Sequence, residues 1–194
     1  APLPKPRPKP SPPQVANPVS LRTYTMQESS QVAECATADI THWLQHSPRT
    51  ISIQNVEHDP HYQSIDVDLL VTTDRGESKL EIKGDRYHKT GNFFFETHSN
   101  REKNTPGCFL YTQADWLCYY FVEIGLLYLL PMPQTRDWFL NHLERFESKS
   151  TTTPTRGGGS YTTVGRLVPI EVVLQEVPEV KTYQLHSGGT GDRT

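Results

Sequence analysis

The chain reads as a mixed protein of α/β or α+β type on three observations. A stretch of helical apolar spacing opens its ordered part, a run of alternating strands joined by a tight turn follows, and further strands and a second helical stretch come after. A length of 194 residues suits one domain with extensions, large enough to bury a core without staples.

Residues 1–22 hold Pro2, Pro4, Pro6, Pro8, Pro10, Pro12, Pro13 and Pro18 with Lys5, Arg7, Lys9 and Arg22 and no acid. A segment so poor in backbone donors is expected to be a basic, disordered arm. The core is expected over residues 23–147. Thr25 with Glu28 three residues later forms a capping box, and Val32, Ala36, Ile40 and Trp43 then recur at helical spacing, so the pattern predicts a helix over 26–46, ended by Ser47-Pro48. "TISIQNVE" predicts a short strand.

In "SIDVDLLVTTDRGESKLEIK", Ile65, Val67, Leu69 and Val71 alternate with Asp66, Asp68 and Leu70, and "TDRGES" supplies a hairpin turn. The returning strand puts Leu80 and Ile82 on one face and Glu81 and Lys83 on the other. Residues 91–98 predict a third strand with Asn92, Phe94, Glu96 and His98 on a shared face, and 99–107 form a polar loop. A helical turn is expected at 112–116, then two strands pivoting at Gly125 and stopping at Pro131 and Pro133. Trp138, Leu140, Leu143 and Phe146 mark a helix within 135–146. "ESKSTTTPTRGGGS" has the composition of a flexible linker, placed at 148–160. Residues 161–185 read as a strand and a short helix starting near Pro169, and 186–194 as a loose tail.

Composition narrows the function. With 19 Lys plus Arg against 22 Asp plus Glu the formal charge is -3, so any anionic partner has to be held by a local patch. The longest apolar stretch, "WLCYYFVEIGLLYLLPM", is broken by Glu123 and Gly125 and falls short of the roughly 20 clean residues that span a bilayer. No apolar signal segment opens the chain, so a soluble, cytoplasmic protein without membrane contact is expected. Cys35, Cys108 and Cys118 follow no spacing pattern and read as buried core thiols in a reducing compartment. His58 and His61 lack further ligands at metal spacing and read as loop histidines.

The hairpin carries the chemistry. Neighbouring strands lie roughly 4.8 Å apart, which lets Asp68 and Glu81 approach each other on their shared face. Carboxylates held so close need a shared proton or a divalent cation, and an all-oxygen site suits Mg²⁺, with Mn²⁺ substituting. Lys83 points to the same side, where an ammonium orients water or offsets phosphoryl charge. The bland alternative is a solvated hairpin face.

Asp68 followed on the adjacent strand by Glu81-Ile82-Lys83 resembles the PD-(D/E)XK nuclease superfamily. "LEIKGDRYHKTGNFFFE", a polar loop with a glycine, and "TQADWLCYYF" are similar to its phage and cyanobacterial branch. The match covers about residues 64–123, and no Pro-Asp precedes the hairpin; Asp59-Pro60 is the reverse dipeptide. The resemblance implies a restriction-endonuclease-like core, a mixed central sheet flanked by helices. It also implies Asp68 and Glu81 as metal ligands with the carbonyl of Ile82, and Lys83 as catalytic. Asp66 shares the face of Asp68, which is preferred because it lies nearer the hairpin; Asp66, Glu96 and Glu34 are accessory candidates. Lys79, Arg86, Lys89, Arg101 and Lys103 flank the site as phosphate contacts, and Tyr87, Thr90 and Asn92 offer hydrogen bonds to DNA. The expected function is a Mg²⁺-dependent endonuclease hydrolysing DNA. Alternatives are a non-catalytic nucleic-acid-binding or assembly module and an RNA-cutting relative. Residues 117–130 would serve a homo-oligomer interface as readily as a core.

Overall fold

The computed structural model describes residues 26–155 and 158–186; the expected arm over 1–22, the Thr25 cap and the tail from 187 onward lie outside them. Chain order is α1 (Met26–Gln45), β1 (Thr50–Asn55), α2 (Pro60–Ser64), β2 (Leu69–Thr73), β3 (Gly76–Asp85), β4 (Asn92–Asn100), β5 (Thr105–Pro106) and α3 (Cys108–Tyr111). It continues with β6 (Trp116–Phe121), β7 (Leu126–Pro131), α4 (Gln134–Asn141), β8 (Glu147–Pro154), β9 (Ser160–Pro169), α5 (Ile170–Glu176) and β10 (Lys181–Gln184). This is a mixed α/β arrangement with a mixed central sheet.

The central sheet has six strands in the order β1-β2-β3-β6-β7-β10. β1, β2 and β3 form an antiparallel meander, β6 runs parallel to β3, and β7 and β10 follow antiparallel. A parallel pair needs a crossover connection. Here that crossover contains β4, β5 and α3, and β4 enters a second sheet of order β5-β4-β9-β8.

Strand parity sorts the core onto two faces. Cys118 and Tyr120 of β6 lie with Leu69, Leu80 and Leu127 under Ala36 and Ile40 of α1. Leu117, Tyr119 and Phe121 face the other way, into a cluster with Phe93 and Phe95 of β4, Phe109 of α3 and Phe139 of α4. A central strand buried on both faces reads as a continuous apolar run, which explains "WLCYYF". Gly84 lets α1 settle on β3: a Cβ there would lie 3.0 Å from Ala36 Cβ and from Val32.

Three expectations are corrected, and the third predicted strand, whose partner the sequence left open, is placed. The third strand does not join the meander; its antiparallel partner is β9, with Phe95 opposite Arg166. The expected linker at 148–160 begins as β8, paired with β9 from Glu147↔Leu167 to Pro154↔Ser160. Its Ser/Thr run has strand propensity but mostly exposed side chains, so it carried no apolar signal. The helical turn lies at α3, ahead of Thr112. In α4 the buried face runs through Thr135 and Phe139, which leaves Leu140 48% exposed; the helix ends at Asn141, and a 3₁₀ turn over Leu143–Arg145 shifts the phase before Phe146. The strand and helix expected over 161–185 are present as β9 and α5, and β10 adds the outer strand of the central sheet. Among the described residues no helix is long and apolar enough to cross a membrane.

Candidate metal centre

The β2–β3 hairpin turns on Asp74 and Arg75, with Thr73 opposite Gly76, whose φ of 122° favours glycine. The ladder pairs Leu69 with Leu80 and extends one step further, through Asp68 N donating to Leu80 O at 2.9 Å. Asp68 and Glu81 are thereby brought side by side. Asp68 Oδ2 accepts from Ile82 N at 2.8 Å, so one of its oxygens is occupied in holding β3.

Asp66 reaches the same place by a different route. It is not in a strand: its φ of 54° is left-handed, a conformation that Asp tolerates better than most residues. The segment Thr112–Asp115 clamps this bend. Thr112 Oγ1 donates to Asp66 O at 2.7 Å, and Gln113 N donates to Ile65 O at 2.8 Å. Ala114 packs with Val56, Val67 and Leu70. Asp115 Oδ2 accepts from Lys79 N at 2.7 Å and its own N–H donates to Lys79 O. The "TQAD" block is therefore the tie between the acid-bearing bend and the hairpin. Asp115 thus pins β3 at Lys79.

The centre itself combines Asp66, Asp68, Glu81, Lys83, Glu96 and Cys108. Single ligand atoms of Asp66, Glu81 and Cys108 lie within 4.8 Å of one another. Glu81 is only 7% exposed, and its Oε2 and Asp66 Oδ2 are buried with no hydrogen-bond partner. Such orphaned oxygens are costly. Burial, reinforced by the charges of Asp66 and Asp68, pushes the Glu81 carboxyl well above the usual carboxylate range. Burial and then the Asp68 charge raise Asp66 to about 6, and burial also raises Asp68.

Lys83 forms an ion pair with Glu96 of β4. Burial disfavours its ammonium form, but the Glu96 charge outweighs that and holds the pKa above the ordinary value. One step further along β3, Asp85 accepts from the buried Tyr119 hydroxyl, whose oxygen accepts from Phe94 N at 3.0 Å. The polar side of β3 is thus stitched to the second sheet.

Cys108, read from the sequence as a core thiol, opens α3 and lies in this cluster; burial raises its thiol pKa. It arrives there because Gly107 presses against β4: a Cβ at Gly107 would sit 2.4 Å from Glu96 O. The glycine in the polar loop was visible in the sequence, but its contact was not. Cys118 is fully buried, as expected.

Glu34 is not part of the centre. It lies exposed on α1, accepting from Ser30 Oγ at 3.2 Å, and α1 covers the opposite face of β3. The flanking contacts divide. Tyr87, Lys89, Thr90, Arg101 and Lys103 are exposed. Arg86 Nη2 donates to Glu28 O at 3.2 Å, and Lys79 is tied through its backbone to Asp115. Thr90 and Asn92 hold their own turn: Thr90 Oγ1 donates to Tyr87 O, and Asn92 Nδ2 donates to Thr90 O at 2.9 Å. His61 is the second residue of α2, whose N-cap is Asp59, accepting from His61 N at 2.8 Å; neither it nor His58 joins a metal cluster among the described residues.

Comparison of the chain with protein-family models, curated proteins and solved structures finds no match in any of the three.

Proposed function

We propose that the protein is a metal-dependent endonuclease hydrolysing DNA phosphodiester bonds, on a restriction-endonuclease-like core of the PD-(D/E)XK type. The observation that carries this reading is the buried, unpartnered pair of oxygens on Glu81 and Asp66, set beside Asp68 and two residues from Lys83 on one strand. A site with this excess of buried negative charge fits a cation. The donor set fits Mg²⁺ or Mn²⁺ through Asp68, Glu81 and the carbonyl of Ile82, with Asp66 beside them. When bound, such an ion supplies charge neutralisation and a more acidic water. An antiparallel pair bearing the acids, followed by a strand parallel to the Glu81 strand, supports the same reading.

The chain's own groups then have distinct tasks. The Ile82 N–H orients Asp68, and the Thr112 hydroxyl fixes the bend that presents Asp66. Lys83, on parting from Glu96, offers an ammonium to the attacking water or to a phosphoryl oxygen. Glu96 holds that ammonium until substrate replaces it. Exposed Lys89, Arg101 and Lys103 are available to phosphates.

The test incubates the purified chain with plasmid, branched and single-stranded DNA and with RNA, in Mg²⁺ or Mn²⁺. Cleavage of DNA is expected, and Asp68→Ala and Lys83→Ala are each expected to reduce it on the order of 10²- to 10³-fold. Unchanged cleavage in both variants would refute the assignment. The Lys83–Glu96 pair favours one second reading, a nucleic-acid-binding module in which the lysine never leaves its partner. That reading predicts salt-dependent DNA binding without cleavage and without Mn²⁺-induced stabilisation.

A further inference from the structure

We propose that Asp66, Glu81 and Cys108 form a binding site for a borderline or soft divalent ion, Zn²⁺ foremost, at which that ion displaces the hard ion and shuts the centre down. The displacement rests on the function proposed above; the binding does not.

Two independent observations point to a ligand. Carboxylate oxygens of Asp66 and Glu81 and the Cys108 sulfur already lie within 4.8 Å of one another, close enough to converge on one ion with small side-chain shifts. Glu81, only 7% exposed, also carries an unpartnered Oε2. A set of two carboxylates and one thiolate suits Zn²⁺ or Co²⁺, leaves a fourth position for water, and is poorly matched to Mg²⁺, which takes oxygen alone. Asp68 is less available to this set because its Oδ2 is held by the Ile82 N–H. The close approach of Gly107 to Glu96 sets the start of α3, and with it Cys108, against β4. Binding forms one metal–sulfur bond, and the thiol proton leaves to solvent. Glu81 belongs to both ligand sets, so the two ions compete for it, and the borderline ion, held by sulfur as well, wins over Mg²⁺. The Lys83–Glu96 pair need not open for the softer ion.

A readout specific for sulfur is needed, because His42 and His46, with ring centroids 4.2 Å apart at the C-terminal end of α1, offer Zn²⁺ a separate surface pair. The full chain is titrated with Co²⁺ and followed by the thiolate-to-metal charge-transfer absorption. One equivalent of band is expected, erased by Zn²⁺ and not by excess Mg²⁺. It should vanish in Cys108→Ser, persist in Cys35→Ser, and be weakened at least about tenfold in affinity in Glu81→Gln, which keeps the thiol and guards against a folding defect. Absence of the band, or an equal band in Cys108→Ser, overturns the proposal. In the cleavage assay, Zn²⁺ should inhibit the parent at concentrations at least about tenfold lower than Cys108→Ser. A band without Mg²⁺-dependent cleavage sinks the nuclease reading alone; cleavage without a band sinks the zinc site alone.

Discussion

On one face of β3, Leu80 and Ile82 lie under α1 beside Leu69 and Cys118; on the other, Glu81, Lys83 and Asp85 turn toward β4 and β6. Leu80 and Glu81 are adjacent and almost equally hidden, at 6% and 7% exposure. Burial of the first removes apolar surface from water and stabilises the fold. Burial of the second desolvates a carboxylate and costs stability unless a partner offsets it. Two of the three polar residues are offset, Lys83 by Glu96 and Asp85 by Tyr119. On this face the deficit lies at Glu81, whose Oε2 is buried without a partner, as is Oδ2 of neighbouring Asp66. The proposed metal site coincides with that deficit, since a bound cation would offset it.

Substitutions on the two faces should therefore move stability in opposite directions. The largest effect is expected from Leu80→Ala, which leaves a cavity beneath α1 and should lower unfolding free energy by about 2–5 kcal/mol in urea melts. A loss below about 1 kcal/mol would mean that this face is not the tighter one.

The next effect is the pH dependence of the metal-free protein. Asp66 has a folded pKa of about 6 against an ordinary 3.8, so the folded state binds the proton more tightly than the unfolded chain. Its contribution is most favourable below pH 3.8, declines as pH rises toward 6 and is level above. The full shift corresponds to at most about 3 kcal/mol. Glu81 and Asp68 are shifted in the same direction. Denaturant midpoints in EDTA should thus fall as pH rises from 3.8 to about 6, the window set by the ordinary and shifted Asp66 values. Saturating Mn²⁺ should flatten that slope, since it stabilises the ionised form, and Asp66→Asn should reduce it. A slope of opposite sign would contradict the geometry.

Smallest is the gain expected from Glu81→Gln. A neutral isostere relieves the repulsion with Asp66 and Asp68 and should raise metal-free stability by about 1 kcal/mol. The same change should abolish the Mn²⁺-induced rise in melting temperature. A stability loss of the size expected for Leu80→Ala would place Glu81 among ordinary structural residues.

Much of this contrast is legible in the sequence. The alternation Leu80-Glu81-Ile82-Lys83 assigns faces because successive side chains of a strand point to opposite sides, and α1 follows from Val32, Ala36 and Ile40. The same rule misleads at Asp66, where a left-handed residue interrupts the alternation and the clamp from Thr112 lies 46 residues away. It was also silent on β8, whose Ser/Thr side chains are largely exposed and whose pairing with β9 supplies what the composition lacks.

From its sequence alone this chain determined a helix, a tight hairpin and the placing of Glu81 and Lys83 on one face of a strand. These are consequences of local backbone geometry, which repeats every two residues in a strand and every 3.6 in a helix. Only the tertiary structure decided that β4 leaves the central sheet, that Glu96 closes on Lys83 from a second sheet, and that Cys108 and Asp66 meet Glu81. Those contacts join segments with no local pattern in common; they arise from the burial of Phe93, Phe95 and Phe109 against β6, which carries β4 and α3 over the charged face of β3.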